Sequence, residues 1–227
     1  DLIHNDIKKK VIMEFSEEIE DEGDKICVKS NQTWKNFYEN NYSYIIENFY
    51  SQIIDITSCP KCNYYTTSHD PIQIVTLELD NSCLSLGDCL NKFIKKKQLD
   101  DNNKWRCDEC NNIVNPIKQT KLWKTSDNLI ILLKKYNKNN NKIKCKIKYP
   151  LVLDLKDYNI NWGYDNNKYL LQGFCVHSGC LEFGHYYSVC RNYLDKKWYQ
   201  YDDDNLTEIN DNDILNYNPY IFFYKRK

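Results

Sequence analysis

The sequence predicts an α+β fold, with helices early and an antiparallel sheet later. Three observations predict it. Apolar residues recur at helical spacing in the first fifty positions, a period of two takes over from Tyr50 onward, and two Cys-x-x-Cys pairs punctuate the strand-like region. At 227 residues the chain can bury a substantial core, as one large domain or two small ones. With 41% hydrophobic residues and 19 tyrosines its composition is that of a folded protein. The net charge is −1, from 31 basic and 32 acidic residues, which speaks against a nucleic-acid binder. No apolar run approaches the roughly 20 residues of a membrane span, so no membrane partner is expected.

The elements follow in order. Leu2, Ile3, Ile7 and Val11 are spaced for a short helix over 2–13. The acidic stretch Glu14 to Asp24 reads as an exposed loop. Thr33 is a candidate N-cap for a second helical piece with Trp34, Phe37 and Tyr38 on its apolar face, and Ser43 to Asn48 adds another turn or two. Strand-like runs follow at Phe49 to Ser58 and Ile72 to Leu79, then an amphipathic helix over Leu86 to Lys97. Ile117 to Trp123 and Leu129 to Leu133 are two further strands, and Lys134 to Lys148 is a polar insertion rich in Asn and Lys. The last third is nearly all strand: Tyr169 to His177, His185 to Arg191, Lys197 to Asp202 and Tyr220 to Tyr224, with a helical turn at Asp211 to Leu215. The chain opens at Asp1-Leu2-Ile3-His4 without Met or a signal-like run, and reads as entered in mid-domain.

Eleven cysteines is an odd number, and four of them form Cys59-x-x-Cys62 and Cys107-x-x-Cys110. A reducing compartment, cytoplasm or nucleus, with a metal site explains that better than a disulfide framework. Each Cys-x-x-Cys turn aims two thiolates at one point, and two turns complete a tetrahedral S4 site for one Zn²⁺ per chain. Four sulfur ligands leave no open coordination position, so the expected zinc is structural.

His185 and Asp202 stand 17 residues apart on two neighbouring strand-like runs, a spacing at which a hairpin sets them side by side. A carboxylate that accepts the Nδ1 proton would orient the imidazole and stabilise its charged form, the base half of a nucleophilic triad. Asp203 follows directly. Gly184 ahead of His185 lets the backbone approach a substrate closely, and Ser178 to Gly184 reads as a flexible loop able to grip a substrate tail. An ordinary surface histidine beside an Asp-rich turn is the competing reading. His4 on a helix, His69 in a polar turn before Pro71, and His177 at a strand end lack a carboxylate at such spacing and read as structural.

Taken together, Val176-His177-Ser178-Gly179, Gly184-His185-Tyr186-Tyr187-Ser188-Val189, Trp198-Tyr199-Gln200-Tyr201-Asp202-Asp203 and the strand Pro219 to Tyr224 resemble the ubiquitin-specific protease family of cysteine deubiquitinases. The two cysteine pairs fall where that family's zinc-binding fingers would. Leu2 to Asp6 looks like the helix after its Asp-Ala-His-Glu-Phe-type motif, and Trp34 like its Trp ahead of the fingers. The resemblance covers nearly the whole chain. It implies a papain-like hand: a remnant of thumb helices over 1–50, fingers over 51–123 and a palm over 124–227. It implies hydrolysis of the isopeptide bond after the C-terminal glycine of ubiquitin, with ubiquitin or ubiquitinated proteins as partners. His185 would be the general base, Asp202 its orienting carboxylate and Asp203 an assistant. Ser178, Gly179, Gly184 and Tyr186 would line the channel for the ubiquitin tail.

The family's nucleophile lies in a Gly-x-Thr-Cys-type box near its N-terminus, and this sequence has no such box. Cys175, Cys180 and Cys190 lie too near the histidine strand to oppose it. Cys27, Cys83, Cys89 and Cys145 lack a helix start after a small-residue turn. The expectation is therefore a fragment that holds two members of a triad and is inactive alone. A non-catalytic ubiquitin-binding relative is the alternative, and a zinc-ribbon scaffold is disfavoured by the neutral charge.

Overall fold

The computed structural model describes residues 2–14, 20–137, 139–160, 166–180 and 182–227. In chain order the helices and first strands are α1 (Leu2–Ile7), α2 (Glu22–Asn41), α3 (Tyr44–Phe49), β1 (Ser51–Ser58), β2 (Tyr65–Ile72), β3 (Ile74–Glu78) and α4 (Leu86–Ile94). Then come β4 (Lys97–Gln98), β5 (Trp105–Arg106), β6 (Ile113–Val114), β7 (Ile117–Lys124), β8 (Asn128–Lys134) and β9 (Val152–Asp154). The chain closes with β10 (Lys168–Gly179), β11 (Gly184–Arg191), β12 (Trp198–Asp202), β13 (Asn205–Ile209), a 3-10 turn at Asp211–Asn216 and β14 (Ile221–Arg226). The expected α+β class, with a largely antiparallel sheet, holds.

The residues fall into two compact units. The first comprises Asp1–Gln73, Ile94–Ser126 and Tyr158–Asn161. Its sheet runs β2-β1-β7-β4, all antiparallel, with β5 and β6 as a separate small ribbon. Trp34, Ile46, Ile54 and Leu122 are buried in it.

Three boundaries differ from expectation here. Thr33 does not start a helix. Asp21 does, through a capping box in which Asp21 Oδ1 accepts from the Asp24 amide at 3.0 Å and Asp24 Oδ2 accepts from the Asp21 amide at 3.1 Å. Acidic residues that look like loop composition are what a helix N-terminus favours, because its free amides carry partial positive charge. Thr33 lies inside α2, its hydroxyl donating to the Lys29 carbonyl. The remainder of the acidic loop, residues 15–19, lies outside the described residues. The first helix stops at Ile7 because the Lys9 amide turns to the Tyr42 carbonyl, and α4 stops at Ile94 because Lys97 and Gln98 pair with β7.

The second unit comprises Ile74–Phe93, Asp127–Asp157 and Trp162–Lys227. Its sheet runs β13-β12-β11-β10-β14-β8-β3, antiparallel except for the β3–β8 pair, and β9 adds to the start of β10. Alternate residues of its strands, among them Leu77, Leu129, Ile131, Leu133, Tyr169, Leu171, Phe174, Phe222 and Tyr224, are buried on the core face, as period-two patterning requires. Leu86 and Leu90 of α4 are fully buried as well. Two-residue register steps then decide what the sheet presents to solvent along β11 and β12.

Among the described residues no helix is long and apolar enough to cross a membrane, which says nothing of a β-barrel.

Candidate active site and cysteine cluster

In the first unit each Cys-x-x-Cys turn closes a two-stranded hairpin. Cys59 to Cys62 joins β1 to β2 and Cys107 to Cys110 joins β5 to β6. The two turns have the same hydrogen-bond plan. The Cys59 amide donates to Tyr64 O and the Asn63 amide to Cys59 O; the Cys107 amide donates to Asn112 O and the Asn111 amide to Cys107 O. Asn63 and Asn111 both have a left-handed backbone, with φ of 62° and 58°, a conformation asparagine tolerates better than most residues.

The turns bring the four sulfurs within 4.8 Å of one another. Cys59 and Cys110 sulfurs are 3.8 Å apart, and Cys62 and Cys107 sulfurs 3.6 Å. A regular tetrahedron with metal–sulfur bonds of ~2.3 Å has edges of about 3.8 Å, so the spacing fits a zinc ion. The surroundings are built for thiolates. The Lys61 amide donates to Cys59 Sγ, and Asn112 draws the Cys110 thiol down to about 6 through its side chain and backbone amide. The Tyr64 amide favours the Cys62 thiolate, but burial and the neighbouring sulfurs outweigh it and push that thiol up to about 12. Four close sulfurs without a cation resist simultaneous ionisation, and a bound cation removes that resistance. Cys59, Cys107 and Val114 form a small buried core against Tyr64 and Trp105.

In the second unit His185 is the second residue of β11 and Asp202 the last of β12. The register pairs Ser188 with Tyr201, so Asp202 and His185 lie on one face of the sheet, diagonally across the strand pair. Asp202 Oδ1 stands 2.5 Å from His185 Nε2. The side chains are 46% and 33% exposed, accessible to a macromolecular substrate. Hydrogen bonding to Asp202, assisted by its charge and that of Asp203, raises the imidazole pKa above the ordinary value against the opposing effect of desolvation. Asp203 follows in the Asp203-Asp204 turn with φ of 50°, its carboxylate within 4.8 Å of the other two groups.

The geometry corrects one expectation. The carboxylate lies on Nε2, not on Nδ1, so the ring presents Nδ1 away from Asp202. It also adds two residues that sequence reasoning missed. Gln200, two positions before Asp202 and so on the same face, donates to Asp202 Oδ2 at 3.4 Å, and the Tyr217 hydroxyl donates to Gln200 Oε1 at 3.0 Å. Period two along β12 is the signal that could have singled out Gln200. Tyr217 comes from the stretch after the 3-10 turn and left no such signal.

The expected grip loop is shorter than Ser178 to Gly184. Ser178 pairs with His185 and Gly179 with Gly184, so these residues are strand, and the Cys180 amide donates to Phe183 O across the tip. Leu181 lies outside the described residues. Gly179 has φ of 97°, a backbone that demands glycine. Gly184 is required for an internal reason: a Cβ there would fall 1.9 Å from His177 Nε2. Tyr186, over half exposed, stacks on that same His177 ring at 4.4 Å.

The remaining histidines have structural surroundings. His4 Nδ1 is 2.8 Å from Ser43 Oγ. His69 is not in a turn: it is a buried residue of β2, edge-on to Trp123, with neither ring nitrogen hydrogen-bonded. Pro71 is tolerated beside it because β2 is an edge strand.

Comparison with known proteins places the chain in a family. The family model described as ubiquitin carboxyl-terminal hydrolase matches residues 1–224. A probable ubiquitin carboxyl-terminal hydrolase of Acanthamoeba polyphaga mimivirus is 29% identical over 98% of the chain, and ubiquitin carboxyl-terminal hydrolase 4 of Saccharomyces cerevisiae is 26% identical over all of it. The chain spans 50% and 28% of the lengths of those relatives. Among solved structures, a SAGA DUB module of Ubp8, Sgf11, Sus1 and Sgf73 bound to monoubiquitin gives a TM-score of 0.76 at 26% identity, covering 89% of this chain and 46% of the matched one. The same module bound to ubiquitin aldehyde gives 0.74. The family match runs through both the cysteine cluster and the His185–Asp202 pair, and the chain belongs to the ubiquitin carboxyl-terminal hydrolase family.

Proposed function

We propose that this chain carries the base and orienting carboxylate of a thiol deubiquitinase, which hydrolyses the isopeptide bond after the C-terminal glycine of ubiquitin. The observation that carries the reading is the 2.5 Å contact between Asp202 Oδ1 and the accessible His185 Nε2, within a chain of this family. Asp202 accepts the Nε2 proton and so fixes the tautomer in which Nδ1 is a base. His185 takes the proton of a thiol at Nδ1, and Asp202 and Asp203 stabilise the resulting imidazolium. The imidazolium then protonates the departing lysine amine, and neutral His185 activates the water that releases ubiquitin. Gln200 and Tyr217 hold Asp202 from behind.

The thiol comes from outside these residues. Cys175 and Cys190 are partly buried strand residues whose thiols are pushed up by burial, and the partner that His185 has is Asp202. Ser178, Gly179, Gly184 and Tyr186, exposed at the mouth of the β10–β11 hairpin, line the path of the ubiquitin tail, the two glycines through their backbone, since Phe183 O and the His177 ring fill the space their side chains would take. Residues 1–50 serve as thumb helices, 51–123 as fingers and 124–227 as palm, with β3 and α4 of the 51–123 stretch belonging to the unit of the palm sheet. Zinc, when bound by Cys59, Cys62, Cys107 and Cys110, supplies a saturated crosslink between two hairpins and no reactive position. Thiolates of this kind persist in a reducing compartment, the cytoplasm or nucleus.

A ubiquitin probe with a C-terminal electrophile tests the reading. The full-length gene product is expected to form a covalent adduct that His185→Ala abolishes, and the 227-residue chain is expected to form none. An adduct on one of its eleven cysteines would place the nucleophile within the chain. Reversible ubiquitin binding without an adduct in either form would make the protein a ubiquitin-binding relative without chemistry.

A further inference from the structure

The β10–β11 hairpin that carries His185 is braced on its far side by a lysine. In β10 the Cys175 carbonyl accepts from the Tyr220 amide, and the pairing of β10 with β14 ends there. Carbonyls of residues i and i+2 in a strand point to the same side, so those of His177 and Gly179 face the edge that β14 no longer covers. Lys142 Nζ donates to both, at 2.9 Å each. The ammonium thus does what the missing strand would do. It also lies 3.4 Å from His177 Nδ1, and the Tyr136 hydroxyl lies 3.3 Å from the same nitrogen. Tyr136 and Lys142 face one another in a β-bridge, closed by the Ile143 amide donating to Lys135 O. Lys135 is in turn buried and donates to the carbonyl and side chain of Asn218.

The other side of His177 meets β11. Its ring stacks on Tyr186 and occupies the space a side chain on Gly184 would need. The register pairs His177 with Tyr186, Ser178 with His185 and Gly179 with Gly184. Lys142 therefore grips the two residues that flank the cross-strand partner of His185, and the His177 ring it helps to orient lies against the two neighbours of His185 on β11.

We infer that Lys142 is a positioning residue of the His185 site, completing the edge of β10 and, through the His177 ring, setting where Gly184 and His185 stand on β11. The inference rests on the catalytic reading of His185, but its geometry can be read without turnover.

Lys142→Met keeps the stem and loses the donors. In the full-length gene product it is expected to lower kcat on a ubiquitin–amide substrate by about 10-fold to 100-fold, as a displacement near 1 Å would, with KM changed less than about 3-fold. Lys142→Arg is expected to restore most of the loss. In the 227-residue chain, labelled at its four histidines, Lys142→Met is expected to move the ring resonances of His185 and His177 and leave those of His4 and His69 in place. The His177 titration should also rise, because burial first and then the Lys142 and Lys135 charges hold it down. Amides of Phe183 and Gly184 should lose exchange protection. Unmoved His185 and Gly184 resonances overturn the inference whatever the turnover. If the wild-type gene product cleaves no ubiquitin substrate, the catalytic reading fails and the resonances alone decide this one. Should Lys142→Met fail to fold, Lys142→Gln, too short to reach both carbonyls and uncharged, takes its place; shifted His185 and Gly184 resonances support the inference and unshifted ones overturn it.

Discussion

The cysteine cluster and the His185–Asp202 pair are both products of hairpins, yet they are held in opposite ways. In the cluster, two turns repeat one hydrogen-bond plan, two of the four sulfurs are buried, and every sulfur lies within 4.8 Å of the others. The pair stands on exposed strand ends, with one short contact and a chain of two weaker ones behind it. The first arrangement satisfies all its ligands among themselves, which suits a crosslink. The second leaves one ring nitrogen unused by Asp202, which is what the proposed base role requires. A group that is to react must be left incomplete by the fold.

The largest expected effect breaks the first region. Cys107→Ser, at a fully buried cysteine of the cluster, is expected to abolish metal binding and open the β5–β6 ribbon. Structural zinc contributes roughly 10 kcal/mol to small domains, so the loss should be on the order of 5 kcal/mol or more in denaturant unfolding of the first unit. Zinc content by elemental analysis should fall from one per chain to none. Unchanged unfolding in a metal-free variant would sink the assignment.

Breaking the second region should do the reverse. Asp202→Asn is expected to leave unfolding within about 0.5 kcal/mol of wild type and to slow probe reaction of the full-length gene product about 10³-fold, because an amide no longer fixes the required tautomer. The pH dependence carries a sign. Asp202 raises the folded pKa of His185, so the stabilising contact is present below the unfolded value and is lost as pH rises through the folded one. Removing Asp202 should therefore move the His185 titration downward, toward the ordinary value. An unmoved titration by NMR would mean that the contact is absent in solution.

Much of this was legible in the sequence, for physical reasons that differ by element. β7, β8, β11, β12 and β14 were placed nearly to the residue because a half-buried sheet forces alternation on the chain. The cysteine cluster was legible because each Cys-x-x-Cys turn aims two thiols at one point. α2 was half lost, since its first turns are acidic and solvated and its cap, Asp21, looks like any loop aspartate. β2 was missed because Thr66, Thr67, Ser68, Asp70 and Pro71 lack alternation, an edge strand having only one neighbour to satisfy. The histidine–aspartate pairing was readable, but which ring nitrogen it uses was not. Ring orientation is set by cross-strand geometry that spacing does not encode. Lys142 and Tyr217 were invisible because both act from irregular segments.

A second histidine sharpens the contrast. His69 is buried without a polar partner, and desolvation first, with the Lys29 charge second, holds its pKa down to about 4. The unfolded chain takes up that proton near pH 6.5, so between about 6.5 and 4 the unfolded state binds more protons and stability falls as pH falls. The loss from pH 7 to pH 4 should be on the order of 3 kcal/mol, and His69→Phe should remove it. Unfolding curves at both pH values decide this, and a pH-independent wild type would mean that the ring is solvated. His185 shifts the other way, so one chain contains one histidine that destabilises when charged and one that is stabilised when charged.

The smallest effect tests how deep the reactive region goes. Tyr217 reaches Asp202 only through Gln200, and Tyr217→Phe removes one hydroxyl without changing the ring's packing against Phe174. A hydrogen bond of this kind is worth about 1 kcal/mol, so probe reaction in the full-length gene product should slow about 5-fold. Gln200→Leu removes the link itself. Combined with Tyr217→Phe it should cost no more than Gln200→Leu alone, because the tyrosine acts through the glutamine. Additive losses in that double-mutant cycle would mean that Tyr217 supports the sheet rather than the carboxylate. The reactive region would then consist of His185 and its aspartates alone, held by strand register and nothing behind it.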